Sequence, residues 1–230
     1  MTLVDRAVGD LIAFLRRPRP FEEKRTHWGE VAILFAIGFT LIVTVATLVG
    51  RFEASMGVER YDLIGEDEPL WQQYLIVGLL FPLGEEWVFR YWLDRRPRGL
   101  ILIVAILAGL AAAMIVSACS AAGAVVAGPL TFVPVFAAVL IIGLANADKL
   151  SPFIFGRFFP ILFWLTAIGF AALHMTNFSA GGALTALFVG PQLIAGILFG
   201  YVRLRYGFAE AVAVHAANNS LAVSLIALGI

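Results

Sequence analysis

Apolar residues run along this chain in blocks long enough to cross a bilayer, separated by short charged or small-residue segments. A spanning helix needs about 20 mostly apolar residues at ~1.5 Å rise each. The pattern predicts spans near 31–50, 71–93, 99–119, 124–145, 158–177, 183–202 and 207–229. The fold class expected is therefore all-α: a polytopic transmembrane helical bundle of about seven spans, filling 31–230 as a single domain after an N-terminal segment, 1–30.

That segment is too interrupted by charge to be a signal-peptide core. Leu3, Val4, Val8, Leu11, Ile12 and Leu15 recur at helical spacing before Arg16, Arg17 and Arg19, which predicts a short helix on a membrane surface or else a solvated tail.

Composition agrees. The chain is 61% hydrophobic and 14% charged, against roughly 45–50% and 25% in soluble domains, and its mean hydropathy is +0.92. It reads as an integral membrane protein. Net charge is zero, and no basic cluster is interleaved with aromatics, so no nucleic acid partner is indicated. The lone Cys119 reads as a small packing residue.

The cations predict orientation, because cytoplasmic loops retain Lys and Arg. Arg6, Arg16, Arg17, Arg19, Lys24 and Arg25 precede the first span, and the next loop is acidic, with Glu53, Glu59, Asp62, Glu66, Asp67 and Glu68. Arg95, Arg96 and Arg98, then Lys149 and Arg157, then Arg203 and Arg205 mark alternate loops, while those at 120–124 and 178–183 have no cation. The N-terminus is expected on the cytoplasmic side, in a cell's inner membrane.

Against this background the polar residues within spans stand out, because an ionisable group in a bilayer is costly unless it faces protein or water. They are Glu85, Glu86 and Arg90 in EEWVFR, His174 and Asn177 after FAAL, and His215, Asn218 and Asn219 in HAANN. Successive helical residues point about 100° apart, whereas residues four apart share a face. Glu86 and Arg90 are then partners, and Glu85 is left to address a cavity. Pro82 and Gly84 predict a kink or loosening just before the carboxylates. Phe170 shares a face with His174, and His215 with Asn219. His27 reads as a solvated surface residue, Gly196 and Gly200 as a close-packing face, and Gly190 and Pro191 as a kink in the sixth span.

EEWVFR, FAALH and HAANN match EExxxR, FxxxH and HxxxN, and in this order the chain resembles the CPBP family of intramembrane proteases, which includes type II CAAX prenyl endopeptidases and the Abi-like bacteriocin-processing or immunity proteins. The resemblance covers about 71–225, with an added helical pair near 100–150. It implies a helical bundle around a conical intramembrane cavity. It also implies roles: Glu85 with His174 activates a water, His215 and Asn219 stabilise the oxyanion, and Glu86 and Arg90 support the site. The implied partner is a membrane-anchored protein or peptide, prenylated at a CaaX terminus in some members.

No cofactor is expected. One carboxylate and two imidazoles are nevertheless zinc-ligand types, so Glu85, His174 and His215 are the candidates if a divalent metal is bound. HExxH is absent. Two other readings stand beside the endopeptidase: a proton-coupled transporter, since membrane acids and histidines build proton relays, and a non-catalytic immunity or scaffold protein.

Overall fold

The computed structural model describes residues 2–25, 27–61, 68–119, 124–179 and 184–229, with side chains described except at 124–127. Asp62, Glu66, Asp67 and most of the two cation-free loops therefore lie outside the described residues. The helices are α1 Leu3–Arg16, α2 Trp28–Met56, α3 Leu70–Leu75, α4 Phe81–Arg90, α5 Pro97–Cys119, α6 Ala124–Ala145, α7 Ala147–Pro152, α8 Phe159–Leu173, α9 Thr185–Phe188, α10 Gly190–Arg205 and α11 Phe208–Ala227. A π-helical stretch, Ile76–Leu80, joins α3 to α4, another, Phe153–Arg157, follows α7, and a 3₁₀ turn, His174–Asn177, ends α8. The all-α class holds. Contacts divide the chain into two compact units, Met1–Arg90 with Phe159–Ile230, and Tyr91–Phe158.

In the first unit, α10 lies between α2, α8 and α11, and α11 packs on the Ile76–Leu80 stretch. Gly196 and Gly200 allow the close approach to α8: a Cβ at 196 would meet the Ala167 carbonyl at 3.2 Å, and one at 200 the Phe163 ring at 3.0 Å. The expected packing face is thus real and internal. Gly190 and Pro191 instead start α10, where a proline lacking its N–H is tolerated. The expected sixth span is consequently α9 followed by α10, without an internal kink.

α1 opens on a capping box, Thr2 with Asp5. Its buried residues are Ala7 and Phe14, the latter edge-on to Phe163 at 4.9 Å, while Val4 and Ile12 stay exposed. It is a docked helix and not a solvated tail. His27 likewise has a structural duty, its Nδ1 accepting the Glu30 N–H at the start of α2. Gly57, at φ 66°, closes α2 in the left-handed conformation that glycine adopts without strain.

In the second unit α5 and α6 pack along their length, the Phe132 ring lying where a Cβ on Gly109 would stand. Cys119 ends α5 exposed, not packed.

Among the described residues, four segments are long and apolar enough to cross a membrane: Trp28–Met56, Pro97–Cys119, Gly128–Ala145 and Phe159–Asn177. This is an integral membrane protein, but the seven-span count is not reached by length and apolarity alone. The expected second span is three helical pieces, the sixth is broken at Val189, and α11 gives positions to Glu210, His215, Asn218, Asn219, Ser220 and Ser224.

Candidate functional site

Every candidate residue lies in the first unit, and the construction begins at a proline. Pro82 has no N–H to donate. One residue earlier, the Phe81 N–H reaches back five residues to the Ile76 carbonyl, which is the π register. The Val77 carbonyl is thereby stranded. In an α-helix Phe81 would serve it, and in a π-helix residue 82 would. Asn219 of α11 fills the gap, its Nδ2 donating to Val77 O at 3.0 Å. The loosening expected before the carboxylates is this π-helical stretch, pinned by a side chain from another helix. A Cβ on Gly78 would lie 2.7 Å from Ser220 Oγ, so glycine lets α11 come close enough.

From Pro82 the helix resumes and carries EEWVFR. Glu86 and Arg90, one turn apart, form an ion pair and are both fully buried. His215 joins them: Nδ1 lies 2.9 Å from the same oxygen, Glu86 Oε1, and Nε2 lies 3.4 Å from Glu85 Oε2. The paired Glu86 carboxylate is an acceptor, so Nδ1–H is the donor. Glu85 keeps 24% of its side chain exposed where Glu86 keeps none, so the two adjacent acids have divided their roles as the 100° step requires.

Aromatic rings enclose these charges. The Arg90 guanidinium lies 4.4 Å over the Phe170 ring and 5.5 Å from that of Phe199. Phe199 stacks on His215 at 4.3 Å, and Phe170 is edge-on to it at 5.7 Å. Low local polarity strengthens the interactions among the enclosed groups and raises the cost of leaving one unpaired.

His174 sits one turn beyond Phe170, ring centroids 5.0 Å apart, and its Nδ1–H donates to the Phe170 carbonyl at 2.9 Å. That fixes the tautomer and leaves Nε2 as the free lone pair. Phe170 also meets Phe89 edge-on at 5.6 Å, so the first two motifs touch through the phenylalanine of FAALH. Beyond His174 the turn is tied down: Tyr61 N–H donates to Asn177 O at 2.7 Å, Ser179 N–H to Glu59 O at 2.9 Å, and Glu59 N–H to Ser179 Oγ at 2.8 Å. Asn218 donates to Asn219 Oδ1 at 3.2 Å.

The structure thus joins Glu85, Glu86, Arg90 and His215 directly, brings His174 to them through Phe170, and places Asn219 on the backbone one turn before Pro82. Two contributors escape sequence reasoning. Arg203 reads as a loop cation, yet it is buried and its Nε donates to the Arg90 carbonyl at 3.2 Å, capping the end of α4. Phe199 carries no signal at all beyond its apolarity.

The zinc-ligand candidates do not assemble as a set. His215 turns its two nitrogens to Glu86 and Glu85, His174 commits Nδ1 to a carbonyl, and among the described residues no three His, Cys, Asp or Glu side chains group so as to hold a metal ion.

Residues 146–221 match the family model described as Type II CAAX prenyl endopeptidase Rce1-like. The match is about a third of the chain and includes FAALH and HAANN but not EEWVFR, which the contacts above join to them. It bears out the family resemblance carried by the three motifs. No curated protein and no solved structure matches the chain.

Proposed function

Starting from an Rce1-like match over residues 146–221, we propose that this protein is an intramembrane endopeptidase of the glutamate type. Its substrate is a membrane-anchored protein or peptide, and the family description points to a prenylated CaaX terminus. The single observation that carries the reading is the division between the two acids. Glu86 is buried against Arg90 and His215, while Glu85 stays partly open beside His215 Nε2. A carboxylate kept open but flanked by an imidazole is placed to take a proton from a water.

In the proposed reaction Glu85 removes a proton from water with His174 Nε2 assisting, and the oxygen adds to the scissile carbonyl. The developing oxyanion is stabilised by His215, which donates from Nε2–H when both ring nitrogens carry protons and Nδ1–H stays with Glu86, and by the second N–H of Asn219, the first being given to Val77. Proton return to the amine completes cleavage. No metal enters this scheme. Glu86, Arg90 and Arg203 hold the frame. The cations of the N-terminal segment, Arg6, Arg16, Arg17, Arg19, Lys24 and Arg25, favour a cytoplasmic location for it.

The test is cleavage of a quenched, lipid-anchored peptide by the full chain in detergent. Glu85→Gln is expected to lower the rate by about 10²–10⁴ with an unchanged unfolding midpoint, and activity is expected to persist in a strong chelator. Undiminished cleavage by Glu85→Gln removes the assigned base. Proton-coupled uptake into liposomes without cleavage replaces the endopeptidase with a transporter.

A further inference from the structure

At the end of the first unit where α2 and α8 begin and α10 finishes, a small cavity opens between α1, the segment after it and the last turn of α10. Asp10, Phe14, Arg17, Arg19, Phe21 and Arg205 line it, and its volume is about 160 Å³. Drug-sized sites run to roughly 300–1,000 Å³, so this one suits a compact polar group.

Its charges are unbalanced. Asp10 accepts from Arg25 Nη1 at 2.6 Å and is shared with Arg205 Nη2 at 3.4 Å. Glu30 lies 3.6 Å from Arg25 and 3.7 Å from Arg6, and it also takes the Tyr206 hydroxyl at 3.0 Å. Two carboxylates are thus divided among three arginines. Arg17 and Arg19 have no side-chain partner among the described residues, and the Nε of Arg205 is buried with none. Arg17 and Arg19, which line the cavity and are exposed, are therefore the cations that an anionic group there would meet.

The backbone that carries Arg17 and Arg19, and the Arg205 side chain, are also held in place. Arg17 and Arg19 alternate with Pro18 and Pro20, both buried, which fix the backbone. The Arg25 N–H donates to the Arg205 carbonyl at 3.0 Å, and the Arg205 guanidinium lies 4.5 Å over the Phe21 ring. Less freedom is lost on binding when donors are already positioned.

We infer that this cavity binds a phosphate group, and specifically that of an anionic phospholipid head group. The lipid source is favoured by position. α1, whose second half lines the cavity, exposes Val4 and Ile12 as a helix lying in a membrane interface does, and candidate spanning segments start at this end of the unit. Arginines at such a surface attract anionic lipid at about a factor of five each.

The full chain in detergent tests this by titration with dihexanoyl phosphatidylglycerol, dihexanoyl phosphatidylcholine and inorganic phosphate, reading the thermal unfolding midpoint. Phosphatidylglycerol should raise it saturably and phosphatidylcholine should not. R17Q/R19Q should keep the lipid-free midpoint, since neither side chain has a protein partner, and should bind phosphatidylglycerol about thirtyfold more weakly. R17K/R19K should recover most of the loss. If inorganic phosphate alone gives the full shift and R17Q/R19Q abolishes it, the phosphate site stands and its ligand is the free ion. Equal shifts with both lipids, or unchanged phosphatidylglycerol binding by R17Q/R19Q, overturn the inference.

Discussion

Removing the charge of Glu86 should destabilise this protein more than removing any exposed acid. Glu86 and Arg90 are both fully buried, and Glu86 Oε1 also holds His215 Nδ1. Breaking a buried ion pair from one side costs about 3–5 kcal/mol, because the remaining charge stays desolvated. In Glu86→Gln that charge is Arg90, with the Phe170 and Phe199 rings as its nearest compensation. At roughly 2–4 °C per kcal/mol for a chain of this size, the midpoint should fall by about 6–20 °C. The same logic makes the effect non-additive. In Glu86→Gln/Arg90→Met no lone cation is left, and the substituted amide can still accept from His215, so the double variant should lose less than the sum of the singles by about 0.5–3 kcal/mol. The assay is thermal unfolding of the purified protein in a mild detergent, followed by tryptophan fluorescence. A Glu86→Gln midpoint within a degree of the parent, or strict additivity, would falsify the assignment of this pair as the frame of the site.

Two further outcomes follow from the geometry. Asn219→Leu strands the Val77 carbonyl and should cost about 1–3 kcal/mol, whereas in a Pro82→Ala background, where residue 82 regains an N–H, the same substitution should cost clearly less; equal costs in both backgrounds, measured by unfolding midpoints, refute the stranded-carbonyl account. Burial, then Tyr201 and Glu30, hold the Tyr206 phenol above its usual range, so its stabilisation is complete below the unfolded value of about 10 and is lost as pH climbs above that toward the folded value. Tyr206→Phe should therefore show a shallower decline in midpoint between pH 9 and pH 11, scales set by that unfolded value, and parallel curves would count against it.

The parts of this site that could be read without coordinates are those governed by a single helix. The Glu86–Arg90 pairing, the freedom of Glu85 and the disturbance near Pro82 all follow from a 100° step and a missing N–H, so they survive whatever the neighbours do. The functions of His215, Asn219 and Arg203 depend on which surfaces meet, and no local period encodes that. Arg203 was misplaced for a definite reason: counting cations assigns each one to solvent, yet a guanidinium next to an uncapped helix end has a backbone partner inside the protein.

The four apolar segments found among the described residues fall short of the seven expected spans where the site is, and for a related reason. A spanning segment is recognised by apolarity, but the helices that carry a polar site spend apolar positions on it. EEWVFR follows a π-helical stretch, and HAANN puts an imidazole and two amides into α11, so neither helix is among the four apolar segments. His174 escapes the rule because it comes at the very end of α8, in the 3₁₀ turn, and leaves the apolar run before it whole. The hydrogen bonds and ion pairs gathered around Glu86 and Val77 offset the cost of placing those groups in an apolar helix, and that offset exists only in the folded unit. Hydropathy, which scores residues singly, registers the cost and not the compensation.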